Sequence, residues 1–418
     1  MSIAQDTLIE VVPSARRLTD SLRDIGYEPV TAVADLIDNS ISAGARTISV
    51  DLVSEGEDSR IRISDDGGGM DRSTAVEALR FGTRRGYSED DLGRFGLGLK
   101  TASLSMGRRL TVVSRQAPIK DRRNSVRLDL DEIEELDRWV VRVLAPGSLD
   151  GSFAPALSER PGTTVVIEQL DRIMEGVSHD SGWAVRRMRR LATDLHEHLG
   201  MVFHRFIERG LRITVDGTPV AAWDPFCRDE PHTVELPSVT MRVRDESGRT
   251  RPVHWRPFVL PARNAFSSQE AFDRAGGPRR WNRQQGIYVY RADRLVQTGG
   301  WSGIRGIDEH TKLGRAALEF GTGLDSAFGI NVAKMRVAIP SDIRPTLKQE
   351  VSDLVKAANN AYRTAASRDR PTERSTDTTE IGEVLRVAAH MTGDSEELEL
   401  MMKRLSAVAP EATRALGF

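Results

Sequence analysis

The chain of 418 residues holds one cysteine, Cys227, which excludes an internal disulfide framework and a cysteine-based zinc cluster. It has no apolar run near the ~18–20 residues that a membrane helix needs, so a bilayer-spanning protein is excluded. The opening MSIAQDTLIE has neither a basic stretch nor an apolar stretch of the secretory kind, and a cytoplasmic protein is the expectation. An excess of either charge is missing too: 59 Lys+Arg against 61 Asp+Glu leave a formal net charge of −2. That argues against a globally basic nucleic-acid binder but permits local basic patches. Histidines number only eight; His196 and His198 fall on different faces of a helix, which argues against a metal site there. No repeat of fixed period occurs. What remains is an ordinary globular composition, 39% hydrophobic and 29% charged. At roughly 100–200 residues per domain, the length suits two to three domains.

Residues 29–42, PVTAVADLIDNSIS, read as a helix opened by Pro29. Val30, Val33, Ile37 and Ile41 form its apolar stripe, while Asp35, Asp38, Asn39 and Ser42 lie within about 100° of one another on the opposite face. TISVDL (47–52) and RIRIS (60–64) alternate as half-buried strands joined by SEGED, a hairpin. Further strands are expected at 110–114, 125–130, 139–144 and 163–168. Val185, Met188, Leu191, Leu195, Leu199 and Phe203 predict one long helix from Trp183 to Ile207 that joins two domains. Residues 211–222 and 285–297 read as strands of a second α/β unit, with RDESGRTR, LPARN and AGGPRR between them as loop or insertion. The resulting division is 1–205, 206–345, a helix at 346–366, a polar linker at 367–380 and a helical tail at 381–418.

Three segments give the polar face of the 29–42 helix a chemical reading. Ser64-Asp65-Asp66-Gly67-Gly68-Gly69-Met70 follows a strand directly; its carboxylate suits the exocyclic amine of a base, and its glycines let backbone approach a ring. Gly93-Arg94-Phe95-Gly96-Leu97-Gly98-Leu99-Lys100 can turn successive N–H groups and one ammonium toward phosphate. Its spacing is not that of a Walker A loop, because Leu99 stands where the lysine belongs, and no βαβ unit opens with it. Pro161-Gly162-Thr163-Thr164-Val165 brings hydroxyls to the start of another strand. Each alone is a weak signal, since a turn or a solvated face explains it equally well.

Their order carries more: D-x-x-x-N, then D-x-G-x-G, then G-x-x-G-x-G-x-K, then G-T-x-V. This resembles the GHKL ATPase superfamily of gyrase B, MutL, the ninety-kilodalton heat-shock chaperones and MORC proteins, over roughly residues 20–170. ADLIDNSISAGA is similar to MutL-type and MORC sequences, and GRFGLGLKTASLSMG is closest to MORC-like ones. The resemblance implies an α/β sandwich ATP-binding domain, a second α/β transducer-like domain and a helical tail. It further implies ATP and Mg²⁺ as ligands, with Asn39 on the metal and Asp65 on the adenine amine. Gly67, Gly69 and Met70 then shape the base pocket, Thr163 supports it, and Gly96, Gly98 and Lys100 bind phosphates. Thr83 belongs to a lid at 82–95, and Lys334, with Arg336 as alternate, reaches the γ-phosphate.

One position departs from the family. The general base that positions water is there a glutamate, and here it is Asp35, one methylene shorter, with Asp38 near enough to share the task. Slow Mg-dependent ATP hydrolysis closing a homodimer is therefore the leading expectation, in DNA processing or defence. A nucleotide-gated clamp without useful turnover and a chaperone-like ATPase are the alternatives. The partners expected are a second copy, joined by residues 1–20, DNA through Arg186-Arg187-Met188-Arg189-Arg190 or Arg279-Arg280-Trp281-Asn282-Arg283, and other proteins of the same pathway, with no membrane.

Overall fold

In the first sheet, apolar and polar residues alternate in the strands at 47–53 and 60–65, while those at 109–115 and 162–168 are buried along nearly their whole length. Its strands are β1 (Thr47–Val53), β2 (Arg60–Asp65), β3 (Arg109–Arg115), β4 (Asn124–Asp129), β5 (Arg142–Val143), β6 (Gly162–Glu168), β7 (Arg212–Val215) and β8 (Thr218–Pro219). They run in the order β5-β4-β3-β6-β2-β1-β7-β8. Every neighbouring pair is antiparallel except β1 and β7. The computed structural model describes residues 11, 13–24, 27–82, 97–116, 123–145, 148, 161–178, 180–278, 280–330, 337–369 and 378–418.

Ile48, Val50, Ile61, Ile63, Leu110, Val112 and Ile167 point into the core. Against them pack α1 (Ala15–Arg23), α2 (Pro29–Ser42), α3 (Arg72–Ala78), α4 (Gly98–Leu104), α5 (Leu130–Leu136) and α6 (Gly182–Val202). Ala32, Val33, Leu36 and Ile37 commit α2 to this core; of the expected stripe, Val33 and Ile37 are fully buried, while Val30 and Ile41 pack half-buried at its edge. The alternate positions carry a charged ladder across the open face: Arg62 on Asp51 at 3.1 Å, Arg109 on Asp129 at 2.7 Å, and Arg127 donating to Thr111 at 3.0 Å. The result is the two-layer α/β sandwich expected.

The expected helix from 183 to 207 is instead two. It breaks at Phe203, and α7 (His204–Glu208) restarts with Phe206 and Ile207 both donating to the Phe203 carbonyl. The break turns the His204 ring into a buried contact with the Tyr290 hydroxyl at 2.9 Å. The assignment of 211–222 to a second unit is corrected: β7 pairs with β1, so these residues complete the first sheet.

The second sheet comprises β9 (Val234–Glu235), β10 (Val239–Arg244), β11 (Thr250–Val259), β12 (Gly286–Arg291), β13 (Arg294–Gln297) and β14 (Gly314–Phe320), in the order β10-β11-β14-β12-β13 with β9 on β11. Reading 223–284 as loop or insertion is therefore also corrected. RDESGRTR is the turn of the β10–β11 hairpin, and Pro252 and Pro257 had disguised β11 as non-strand. Two short helices, α8 (Gln269–Ala275) and α9 (Arg280–Gln284), precede β12. Helix α10 runs Arg344–Asp369, past the start expected for the linker; residues 370–377 lie outside the described residues. Met1–Ala358 forms one compact unit, and Asn359–Phe418 a second containing α11 (Thr378–Thr392), α12 (Ser395–Val408) and α13 (Pro410–Ala415). Among the described residues, no helix is long and apolar enough to cross a membrane.

The second sheet is pinned by an ion pair out of water. Arg291 donates to both oxygens of Asp325 at 2.6 and 2.7 Å, and each side chain is 1% exposed. Removing one partner strands a buried charge, whereas removing both leaves only packing to repair. We expect Asp325→Ala to lower stability by about 3–5 kcal/mol in urea unfolding. Asp325→Leu combined with Arg291→Met should return most of that loss.

Candidate functional site

The end of β2 and the turn after it hold a carboxylate in a fixed pose. Asp65 faces Thr163 across the β2–β6 register. Its Oδ1 accepts from the Gly67 and Thr163 amides at 3.0 and 3.3 Å, and its Oδ2 accepts from the Ser40 hydroxyl of α2 at 2.8 Å. Three donors occupy three of roughly four lone-pair directions, which leaves Oδ2 able to accept once more. Burial raises the Asp65 pKa above the ordinary aspartate range, opposed by those same three hydrogen bonds.

The turn is built to stay close to α2 and β3. The Gly68 amide donates to the Ala43 carbonyl at the end of α2 at 2.9 Å. Gly69 has φ +66°, and a Cβ there would sit 1.8 Å from the Arg115 carbonyl oxygen, so no side chain fits. Ser114 links the remaining parts: it accepts from the Met70 amide at 2.8 Å and lies 2.9 Å from the Thr163 hydroxyl. Asp65, Gly67, Gly69, Met70 and Thr163 are thus brought together at one end of β2, β3 and β6.

The polar face of α2 divides. Asn39 is exposed, whereas Asp35 and Asp38 are buried. Asp35 accepts from the Tyr27 hydroxyl on Oδ2 at 3.0 Å and from Arg294 Nη2 on Oδ1 at 3.2 Å. Arg294 Nε reaches Asp38 at 2.7 Å. The Tyr27 hydroxyl is pushed well above its usual pKa, first by burial and then by the Asp35 charge. Two carboxylates three residues apart are tolerated here because a guanidinium from β13 sits between them.

Gly98 begins α4, which packs on α2 and carries Lys100. The Lys100 side chain is buried, and its ammonium donates to the Ala78 carbonyl at 2.8 Å. Burial pushes its pKa down to about 8, with Glu77 opposing. Thr83, Gly96, Lys334 and Arg336 lie outside the described residues, as do most of the expected lid and residues 1–10. Among the described residues, no group of three or more His, Cys, Asp or Glu side chains is placed to hold a metal ion. Residues 27–163 match the family model of the histidine kinase-, DNA gyrase B- and HSP90-like ATPases.

Over this segment the chain resembles a GHKL ATPase domain.

Its relatives include both kinds that the wording suggested. The ATPase morc-1 of Caenorhabditis elegans is 35% identical over 88 residues, 21% of this chain and 10% of that protein. The DNA mismatch repair protein MutL of Anaeromyxobacter sp. (strain K) is 30% identical over 192 residues, 44% of this chain and 29% of that protein. Protein MICRORCHIDIA 6 of Arabidopsis thaliana is 35% identical over 91 residues, 21% of this chain and 14% of that protein. The chain therefore spans less than a third of the length of each of these three.

Four residues that bond the candidate groups are not marked by the sequence motifs: Tyr27, Ser40, Ser114 and Arg294. Ser40 adjoins Asn39 and was within reach of the helical pattern. Ser114 and Arg294 carry no local signal, because their partners lie on other strands or 256 and more residues away. If Asp65 receives a base amine, as the family resemblance implies, Asp65→Asn places an amide donor opposite it. We expect ATP affinity to fall about ten- to hundredfold, the range for a hydrogen bond to a charged group at ~1.5–3 kcal/mol, and preference over GTP to shrink. Calorimetry with both nucleotides checks this; unchanged selectivity would place the base elsewhere.

Proposed function

We propose that the chain binds Mg-ATP in its GHKL segment, hydrolyses it slowly, and uses the bound state to close a homodimer. The observation that carries this reading is the Asp65 carboxylate. It is fixed by Ser40, Gly67 and Thr163 with acceptor capacity left over, on the same helix-and-sheet end as the exposed Asn39. A partly exposed carboxylate with one open acceptor position fits an adenine amine. An exposed amide oxygen fits a hard divalent cation, and Asn39 is the residue to hold it. When bound, Mg²⁺ would offset the negative charge of the phosphates, with Asn39 as the side chain that would hold it.

In this reading Asp65 selects the base, and Lys100 supplies a positive charge to the phosphates. Lys334 would add a second from the transducer-like part. Asp35 orients water toward the γ-phosphorus and accepts its proton; nucleotide closure then favours the paired state. A second reading has one observation in its favour. Both Asp35 oxygens already have partners within the fold, which suits a nucleotide-gated clamp without useful turnover. Phosphate release separates the two.

DNA is the client we favour. Arg186, Arg187, Arg189 and Arg190 are all exposed on α6 beside the exposed Trp183, giving phosphates a local basic face. Turnover measured with and without DNA at two salt concentrations tests this, since phosphate contacts weaken with salt. Stimulation by unfolded polypeptide instead would favour a chaperone-like client. A role in DNA processing or defence, and a cytoplasmic setting, belong to the same proposal.

Asp35→Asn keeps the shape of the carboxylate and removes its basicity. We expect ATP to bind, phosphate release to stop, and the dimer to accumulate with Mg-ATP in sedimentation velocity. A variant that stays monomeric at saturating ATP would refute dimer closure.

Lys100 generates a pH test. Its ammonium is lost as pH rises through about 8, so ATP affinity should fall between pH 7 and 9, and Lys100→Met should abolish that dependence. Stability should move the other way. The folded value lies below the ordinary 10.5, so the unfolded chain holds the extra proton in that window, and the Lys100 contribution improves from pH 8 to 10.5. Thermal melts of wild type against Lys100→Met measure it.

A further inference from the structure

Arg294 opens β13 in the second sheet, yet its side chain ends among residues of α2 and is 3% exposed. It spans two carboxylates at once, with Nη2 on Asp35 Oδ1 at 3.2 Å and Nε on Asp38 at 2.7 Å. Nη1 points to the Leu295 carbonyl at 3.4 Å, and the Phe203 ring centre lies 5.9 Å from the guanidinium carbon. Tyr27 holds the other oxygen of Asp35. The pose of the Asp35 carboxylate is therefore set from two sides, one of them by a strand more than 250 residues away in the chain.

A buried ion pair is weak evidence for stability, because desolvation of the charges cancels much of their attraction. What this one supplies is orientation. A rigid guanidinium fork anchored on Asp38 through Nε has its Nη2 aimed at one place, and Asp35 Oδ1 occupies it. An aspartate standing where the family has a glutamate has less reach, so its direction matters more. We infer that Arg294 is a positioning residue for hydrolysis, which holds Asp35 in the orientation that directs water and so makes turnover depend on the second sheet being seated against α2. This rests on the assignment of Asp35 as the water-orienting group. ATP binding does not depend on it, since the base-binding end of the site at Asp65 has its own set of donors.

The test compares ATP affinity with single-turnover hydrolysis in the full chain. Arg294→Gln should leave the ATP Kd within about threefold of wild type, while the hydrolysis rate falls about a hundredfold, the lower end of what a positioned base contributes. Arg294→Lys, which restores charge but not the fork, should recover only part of the rate. Where the single change costs too much stability, Asp38→Leu with Arg294→Met removes one carboxylate along with the guanidinium, so the net buried charge stays at a single negative, on Asp35 beside the Tyr27 hydroxyl, and the measurement remains possible. It should bind ATP and hydrolyse as slowly as Arg294→Gln. Wild-type turnover in either variant overturns the inference, as does a parallel loss of affinity, rate and melting temperature, which would mark a purely structural pair. Asp35→Asn separates this from the underlying assignment. If Asp35→Asn still hydrolyses ATP, that assignment fails; if it is inactive while Arg294→Gln turns over normally, only the positioning role fails.

Discussion

Two negative charges sit one helical turn apart inside α2, and neither reaches water. Without a counter-charge, Asp35 and Asp38 would be among the most costly groups in the molecule to bury. The counter-charge comes from β13, so the interior of the ATPase segment is electrically complete only when the second sheet is in place. That dependence agrees with Met1–Ala358 forming one compact unit. His204, at the break between α6 and α7, adds a second tie to the same sheet through Tyr290, and Arg205 lies over the Tyr290 ring at 3.7 Å.

Helix α2 thereby carries two chemically distinct ends. Ser40, near its C-terminus, fixes Asp65, and Asp35 lies about 7.5 Å back along the axis, at 1.5 Å per residue. Asn39 stands between them on the exposed side. One helix can hold these functions apart because its apolar stripe fixes its rotation against the sheet, and rotation decides which polar residue faces which neighbour.

Much of this was legible in the residues. The α2 stripe and the alternation of the β1–β2 hairpin have local periods that the structure follows, and strands were also expected close to where β3, β4 and β6 lie. Asp65, Gly67, Gly69 and Thr163 were recognisable because a strand end, a tight turn and a facing strand leave a pattern within a few residues of each site. The misplaced elements have a common cause. Strand β7 is short and its choice of sheet is made by pairing with β1, which no local pattern records; β11 is interrupted by two prolines that ordinarily mark an edge or a loop. Asp35 and Asp38 were read as a polar face, which on an isolated helix means solvent. Only a distant arginine turns that face inward.

The parallel pairing of β7 with β1 has a consequence for how the chain can be made. Strand β1 has one flank on β2, and among the described residues its other flank is satisfied by residues 212–216, which arrive after the whole of α6. A fragment ending at residue 205 would present β1 as a naked edge, with unpaired amides and carbonyls beside Ile48 and Val50, a template for another chain to join. On the ribosome the same exposure lasts until residue 216 has emerged. The nascent chain thus crosses an interval of well over a hundred residues in which its first strand is available to strangers, and a chaperone or fast synthesis through α6 would shorten that interval.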